Sequence, residues 1–245
     1  MITLQNVHKA FDGKSALQGV DLHIETGCSM VIIGGSGAGK SVLIKCILGL
    51  LTPDAGEVLI DGTPMTPKSR AGVLDQCGML FQGGALFDSL TVWQNVAFRL
   101  LRGPQKHNAR EIALAKLAQV GLSADVADKY PAELSGGMQK RVGLARAIAA
   151  DPQVIFFDEP TTGLDPIMAG VINSLIRRVV TDLGMTAVTI THDMTSVDAI
   201  ADRVAMLHDG TIRWEGPKSD LVSTTDPYLT QFMQGRVDGP IKARW

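Results

Sequence analysis

Eight consecutive residues, Gly34-Gly35-Ser36-Gly37-Ala38-Gly39-Lys40-Ser41, constrain this chain more than any other stretch. Immediately before them stands Met30-Val31-Ile32-Ile33, short, apolar and β-branched. Immediately after them, Val42 to Leu51 carries apolar residues at helical spacing. The order of strand, glycine loop and helix is that of a phosphate-binding loop. Glycines let the backbone curl so that successive N–H groups point inward at phosphate oxygens, and the following helix offers its unpaired amides and positive dipole end to the same anion. In such a loop Lys40 bridges the outer phosphates and the Ser41 hydroxyl ligates Mg²⁺. What is then done with the phosphate has to come from the rest of the chain.

At 245 residues the chain is long enough to bury a substantial core, as one large domain or two small ones. Lys and Arg number 23 against 25 Asp and Glu, a net charge of −2 that gives no polybasic surface, so nucleic acid is not an expected partner. The three cysteines, Cys28, Cys46 and Cys77, are odd in number and widely spaced, which suits buried, reduced thiols better than a disulfide framework or a zinc site. No apolar run approaches the roughly 18 residues needed to span a bilayer, and Met1 to Gly13 lacks the basic and apolar regions of a signal peptide. Dealings with a membrane are therefore expected to run through partners.

Along the chain, Ile2 to Val7 and Leu17 to Ile24 alternate like strands on either side of Asp12-Gly13-Lys14-Ser15, an antiparallel layer beside the glycine loop. Phe11 lies at that turn, where it either stacks on an adenine ring or belongs to the core. Val58 to Ile60 with Asp61-Gly62 reads as a strand and tight turn, and Leu74 to Phe81 as an apolar stretch ending at Gln82. From Gly83 to Ala150 helical signals dominate, including a capping-box pattern at Asn108 and Glu111 and a stop at Gly121, as in a helical subdomain inserted into an α/β core. Leu134-Ser135-Gly136-Gly137-Met138-Gln139-Lys140-Arg141 opens its last helix. Val154-Ile155-Phe156-Phe157 is a continuous apolar run of the kind found in a buried parallel strand, and it delivers Asp158 and Glu159 at its tip. Asp165-Pro166 starts a helix that Gly184 stops, Ala187 to Ile190 is a strand ending at Thr191-His192-Asp193, and a hairpin turns at Asp209-Gly210. Asp226 to Trp245 reads as a partly extended tail.

Each candidate residue lies just past a predicted strand or at the start of a helix, and in a parallel α/β sheet ligands gather at the strand ends. The ordered set of phosphate loop, Gln82, Leu134-Ser135-Gly136-Gly137, Asp158-Glu159, Asp165 and His192 resembles that of the ATP-binding-cassette ATPases, over nearly the whole chain. That resemblance implies a P-loop α/β fold with a RecA-like parallel-sheet core, an antiparallel β layer and the inserted helical subdomain. The cassette would span residues 1–225, the subdomain about 83–150 and the tail 226–245. It implies ATP and Mg²⁺ as ligands and ATP hydrolysis as the reaction. Gly34 to Ser41 and the Val42 amide would hold the phosphates, and Phe11 would lie on the adenine. Ser41, Gln82 and Asp158 would attend the metal. Glu159 would be the general base, Gln82 would contact the metal or the water, and His192 would donate to the γ-phosphate or the attacking water. Ser135, Gly136, Gly137 and Asp165 would complete a site on a second copy, in a head-to-tail dimer that sandwiches two ATP molecules.

Two positions depart from the commonest pattern of that family. Val42 stands where many relatives carry a second hydroxyl, and Met138 where glutamine is usual. With the run Phe81-Gln82-Gly83-Gly84-Ala85-Leu86-Phe87-Asp88-Ser89-Leu90 and the tail segments Gln231-Phe232-Met233 and Asp238-Gly239-Pro240, they resemble the branch serving Mla or Mce-type lipid transporters. The resemblance implies a separate membrane permease, MCE-domain and STAS-domain accessory subunits, and a place on the cytoplasmic face of the inner membrane. A groove near Gln82 to Leu90 would receive a permease helix, and the tail would brace the partner ATPase. Another importer or exporter, or a soluble cassette of the iron–sulfur cluster assembly type, is the alternative.

Overall fold

The computed structural model describes residues 1–242, in two compact units. One unit combines Met1–Leu74 with the chain from Thr189 onward, and the other is Asp75–Val188.

In the first unit, β1 (Ile2–Phe11) and β2 (Lys14–Ile24) form a hairpin, β1 also pairs with β4 (Ala55–Ile60), and β4 with the short β5 (Thr63–Pro64). All of these pairings are antiparallel. The hairpin turn has φ 47° at Asp12 and 76° at Gly13, the left-handed pair that matches strand twist. Both hairpin strands run longer than their alternation predicts, because the turn itself is only two residues. Ile2, Leu4, Val7, Leu17, Val20, Leu22 and Ile24 are buried, so the alternation marks one inward face. A second strand set is built around β3 (Ser29–Ile33), buried along its whole length. It runs parallel to β9 (Arg203–His208), from Met30 opposite Arg203 to Ile33 opposite Met206. β9 turns back at Asp209-Gly210 into β10 (Thr211–Pro217). The helices of this unit are α1 (Lys40–Ile47), α2 (Arg70–Asp75, which ends at the boundary), α7 (Met194–Ile200) and α8 (Pro227–Gln234).

The second unit pairs β6 (Cys77–Leu80) with β7 (Val154–Asp158) in parallel, from Cys77 opposite Val154 to Leu80 opposite Phe157. Its helices are α3 (Val92–Val96), α4 (Ala109–Gln119), α5 (Gly136–Ala147) and α6 (Pro166–Leu183), and the chain leaves along β8 (Thr186–Thr191). Helix α5 packs on α3, α4 and β6. Buried Asn95 on α3 organises the loop before it, accepting from Phe87 N and donating to the carbonyls of Phe87, Leu90 and Thr91. Gly121 stops α4 as expected, with φ 72° and Leu122 N donating back to Leu117 O. The capping box expected at Asn108 does not form. Lys106–Asn108 is a 3₁₀ turn that runs straight into α4, so Asn108 has no extended backbone from which its side chain could fold back onto the amides.

The tail, expected to be partly extended, contains a helix. Asp226 accepts from Tyr228 N and Leu229 N and caps α8, with Pro227 at the first helical position. The Tyr228 ring lies 5.0 Å from that of His208, and Arg213 sits 4.3 Å over it while pairing with Asp226 at 3.4 Å. Buried Gln231 then folds the following residues back. Its amide donates to the carbonyls of Arg236, Val237 and Ile241, and its carbonyl accepts from Ile241 N. The last three residues of the expected tail, 243–245, lie outside the described residues. Changing Gln231→Ala removes these bonds. Trypsin cleavage after Arg236 is expected to accelerate about tenfold, as for a lost interaction of about 1.4 kcal/mol, with the thermal midpoint of the rest of the chain unchanged.

Candidate nucleotide-binding and catalytic residues

In the first unit, β3 delivers the chain at Ile33 into the glycine loop and α1 begins at Lys40. The loop is wedged against backbone on two sides. A Cβ at Gly34 would lie 2.2 Å from Leu207 O, and one at Gly39 would lie 2.5 Å from Ala16 O, with Gly39 at φ 105°. The turn after β9 closes the arrangement, since Gly210 N donates to Ala38 O while Gln18 N donates to Gly210 O and the Gln18 side chain to Asp209 O. This turn was not singled out from sequence, where Asp209-Gly210 reads only as a hairpin.

Because the residue before α1 is glycine, that helix has no side-chain cap, and its first turn holds no acid. A helix start left in this condition, at the end of a buried strand, favours an anion. The Lys40 ammonium lies over the same loop, donating to Gly34 O at 2.6 Å and Gly35 O at 3.0 Å. Ser36, Gly37 and Ser41 are exposed, Gly35, Gly39 and Val42 half-buried, and Gly34 and Ala38 buried. Phe11 is 43% exposed, with Lys9 Nζ 5.6 Å from its ring centroid, so it does not belong to the core. His192 is exposed just past β8, and the next residue, Asp193, caps α7 by accepting from Thr195 N and Ser196 N. Cys46 and Cys77 are buried, and burial pushes both thiols up to about 11, so they stay protonated. Cys28 is half-buried rather than buried.

In the second unit, four buried residues of β7 end at Asp158 and Glu159, which are both half-buried. Glu159 has φ 47°, a left-handed conformation that a non-glycine residue rarely adopts. Thr162 braces this turn, its N–H donating to Glu159 O and its hydroxyl to Glu159 Oε2, each at 3.3 Å. Ser135 caps α5, accepting from Met138 N at 3.3 Å, and Asp165 caps α6, accepting from Ile167 N and Met168 N at 3.0 Å. These two helix starts are neighbours. A Cβ on Gly137 would meet Met168 Cε at 2.6 Å, and one on Gly136 would meet Leu164 at 4.0 Å. Gln82 is exposed beyond β6, and Arg146 holds the residues that follow it by donating to Gly84 O at 2.7 Å and Ala85 O at 2.9 Å. Next to this loop is a cavity of about 450 Å³ whose lining includes Met79, Phe81, Phe87, Phe98, Arg99 and Arg146.

A model of the ABC transporter family matches residues 17–162, from within β2 to just past Glu159. The chain is an ABC transporter ATPase. It is 41% identical to the intermembrane phospholipid transport system ATP-binding protein MlaF of Haemophilus influenzae, over 92% of this chain and 87% of that one. It is 42% identical to the methionine import ATP-binding protein MetN of Carboxydothermus hydrogenoformans, over 95% of this chain and 71% of that one. A dimeric ATP-binding cassette in a post-hydrolysis state bound to ADP and Pi superimposes with a TM-score of 0.79, at 32% identity, over 89% of this chain and 98% of that one. The fold is the P-loop ABC cassette, and the chain is an ATP-hydrolysing enzyme.

Arg146 and Lys140 are charged groups whose placement the sequence did not single out. Arg146 has no local signature, because its partners lie about sixty residues away. Lys140 did carry a signal. It falls in the helical stripe Gly137, Lys140, Leu144 and Ala147, all buried, so a cation was placed on an inward face. Burial pushes its ammonium below the ordinary lysine value, opposed by the charges of Asp158 and Glu159.

The tight seat of the loop generates a direct test. Gly39→Ala must displace the Ala16 carbonyl and also strain a left-handed backbone. It is expected to cost about 2 kcal/mol, read as a lower thermal midpoint, and to weaken binding of a fluorescent ATP analogue at least ~10-fold.

Proposed function

We propose that this chain is the ATPase subunit of an envelope phospholipid transporter, hydrolysing ATP on the cytoplasmic face of the inner membrane to drive a separate permease. The observation that carries the lipid reading is the 41% identity to a phospholipid-transport ATP-binding protein across 87% of that protein's length. The loop after Gln82 and the Met138 position support it. Among the described residues no helix is long and apolar enough to cross a membrane, so contact with the bilayer is assigned to the permease. The cavity beside Phe87 and Arg146 is of a size to take side chains from a helix of that permease. The comparable likeness to a methionine importer's ATPase supports a second reading, amino-acid import by the same kind of machine.

The groups present suit Mg²⁺ and ATP. The uncapped start of α1 and the Lys40 ammonium suit a polyphosphate, while the Ser41 hydroxyl, the Gln82 carboxamide and the Asp158 carboxylate are the hard oxygen donors that Mg²⁺ prefers. Bound Mg²⁺ would neutralise charge on the phosphates. Lys40 then holds the outer phosphates, with the amides from Gly34 to Val42 around them, and Phe11 lies against the base. Glu159 accepts a proton from the attacking water, and His192 donates to the γ-phosphate or to that water. The neighbouring starts of α5 and α6, with Ser135, Gly136, Gly137 and Asp165, face a second copy of the chain. Each ATP is thereby enclosed by two subunits in a head-to-tail dimer, which the tail braces.

Glu159→Gln is expected to keep ATP binding while slowing hydrolysis by ~10²- to 10⁴-fold, and turnover within a few fold of wild type would remove Glu159 from this role. Lys40→Ala is expected to abolish nucleotide binding, checked by titration with a fluorescent ATP analogue. For the substrate, affinity purification from detergent-solubilised membranes separates the readings. A multispanning protein with MCE-domain and STAS-domain partners is expected, an amino-acid-binding protein beside the permease would favour the importer, and soluble partners alone would overturn both.

A further inference from the structure

Lys140 is a buried cation that the assigned roles leave unused. Its side chain is buried, with a relative exposure of 4%, and among the described residues Nζ has no hydrogen-bond partner. An unpaired buried ammonium is costly, and methionine would fill the same stripe of α5 without that cost. The helix that carries the ammonium packs against β6. A Cβ on Gly143, one turn along, would meet Leu80 at 2.8 Å and the Gly84 backbone at 3.2 Å, so this part of the helix is pressed against the end of β6. β7 runs parallel beside β6 and ends at Asp158 and Glu159. These two carboxylates are the acidic charges that act on Lys140.

We propose that Lys140 is a positioning residue that serves as the internal counter-cation of the Asp158–Glu159 pair. Two adjacent half-buried acids repel one another, and the ammonium lowers that repulsion in the nucleotide-free chain. When Mg²⁺ enters with ATP, the same positive charge opposes the metal. Lys140 therefore raises the Mg²⁺ concentration needed, so that the carboxylates take the metal together with the triphosphate rather than alone. This inference rests on the assignment of Asp158 to the metal and Glu159 to the base.

The test measures binding instead of turnover, with the full-length chain and N-methylanthraniloyl-ATP titrated with MgCl₂. Lys140→Met is expected to shift the Mg²⁺ midpoint of the binding response about three- to tenfold lower, whereas Lys140→Arg keeps the wild-type midpoint. Affinity for the analogue in EDTA is expected not to rise, so that the gain appears only with the metal present, which a merely structural role would not predict. In a Glu159→Gln background the Lys140→Met shift is expected to shrink, as coupled charges require. An unchanged midpoint in Lys140→Met overturns the proposal. Should Lys140→Met fail to fold, Lys140→Gln carries the same expectation and the same refutation. Asp158→Asn separates the two levels of inference. If it leaves the Mg²⁺ response intact, the metal assignment has failed; if it abolishes the response while Lys140→Met changes nothing, only the role of Lys140 has failed.

Discussion

The first unit depends on how closely backbone approaches backbone around the glycine loop. With Leu207 O against Gly34 and Ala16 O against Gly39, any side chain at either position would push the loop off its strands. The residue that could have capped α1 is thus the one required to be glycine, which leaves that helix without a side-chain cap. The same packing takes in the Asp209-Gly210 turn, which is tied to the loop at Ala38 and to β2 at Gln18.

In the second unit the corresponding constraint is the seat of α5. One helix carries Ser135 and Gly137 at its start, Lys140 one turn in, Gly143 against β6, and Arg146 on the carbonyls of Gly84 and Ala85. A displacement of α5 would move all of these together. The loop after Gln82 and the start of α5 are therefore mechanically one piece, held by two hydrogen bonds from a guanidinium that also lies 5.7 Å from the Phe87 ring.

Much of this was legible in the sequence because the decisive signals are local. Glycine before a lysine, four apolar residues before two acids, and Asp-Pro at a helix start each specify backbone within a few residues. The strands β3 and β7, the caps at Ser135 and Asp165, and the stop at Gly121 all stand where the pattern placed them. The misses have physical causes. At Asn108 a 3₁₀ turn removed the extended residue on which a capping box depends. In the tail, glycine and proline suggested extension, but Asp226-Pro227 is the same start signal that was read correctly at Asp165-Pro166. Arg146 could not be found, since a long-range bond from arginine to a carbonyl leaves no pattern in sequence. Lys140 could have been, from its place among buried positions.

Gln231 has one more consequence. A single side-chain amide satisfies backbone groups of three residues, and the bonds share both ends of one rigid plane. Rotating that plane to release Ile241 also releases Arg236 and Val237, so the segment has no gradual route to loosening. It behaves as a latch with a closed and an open setting, and whatever grips the C-terminus from outside must compete with the whole set at once.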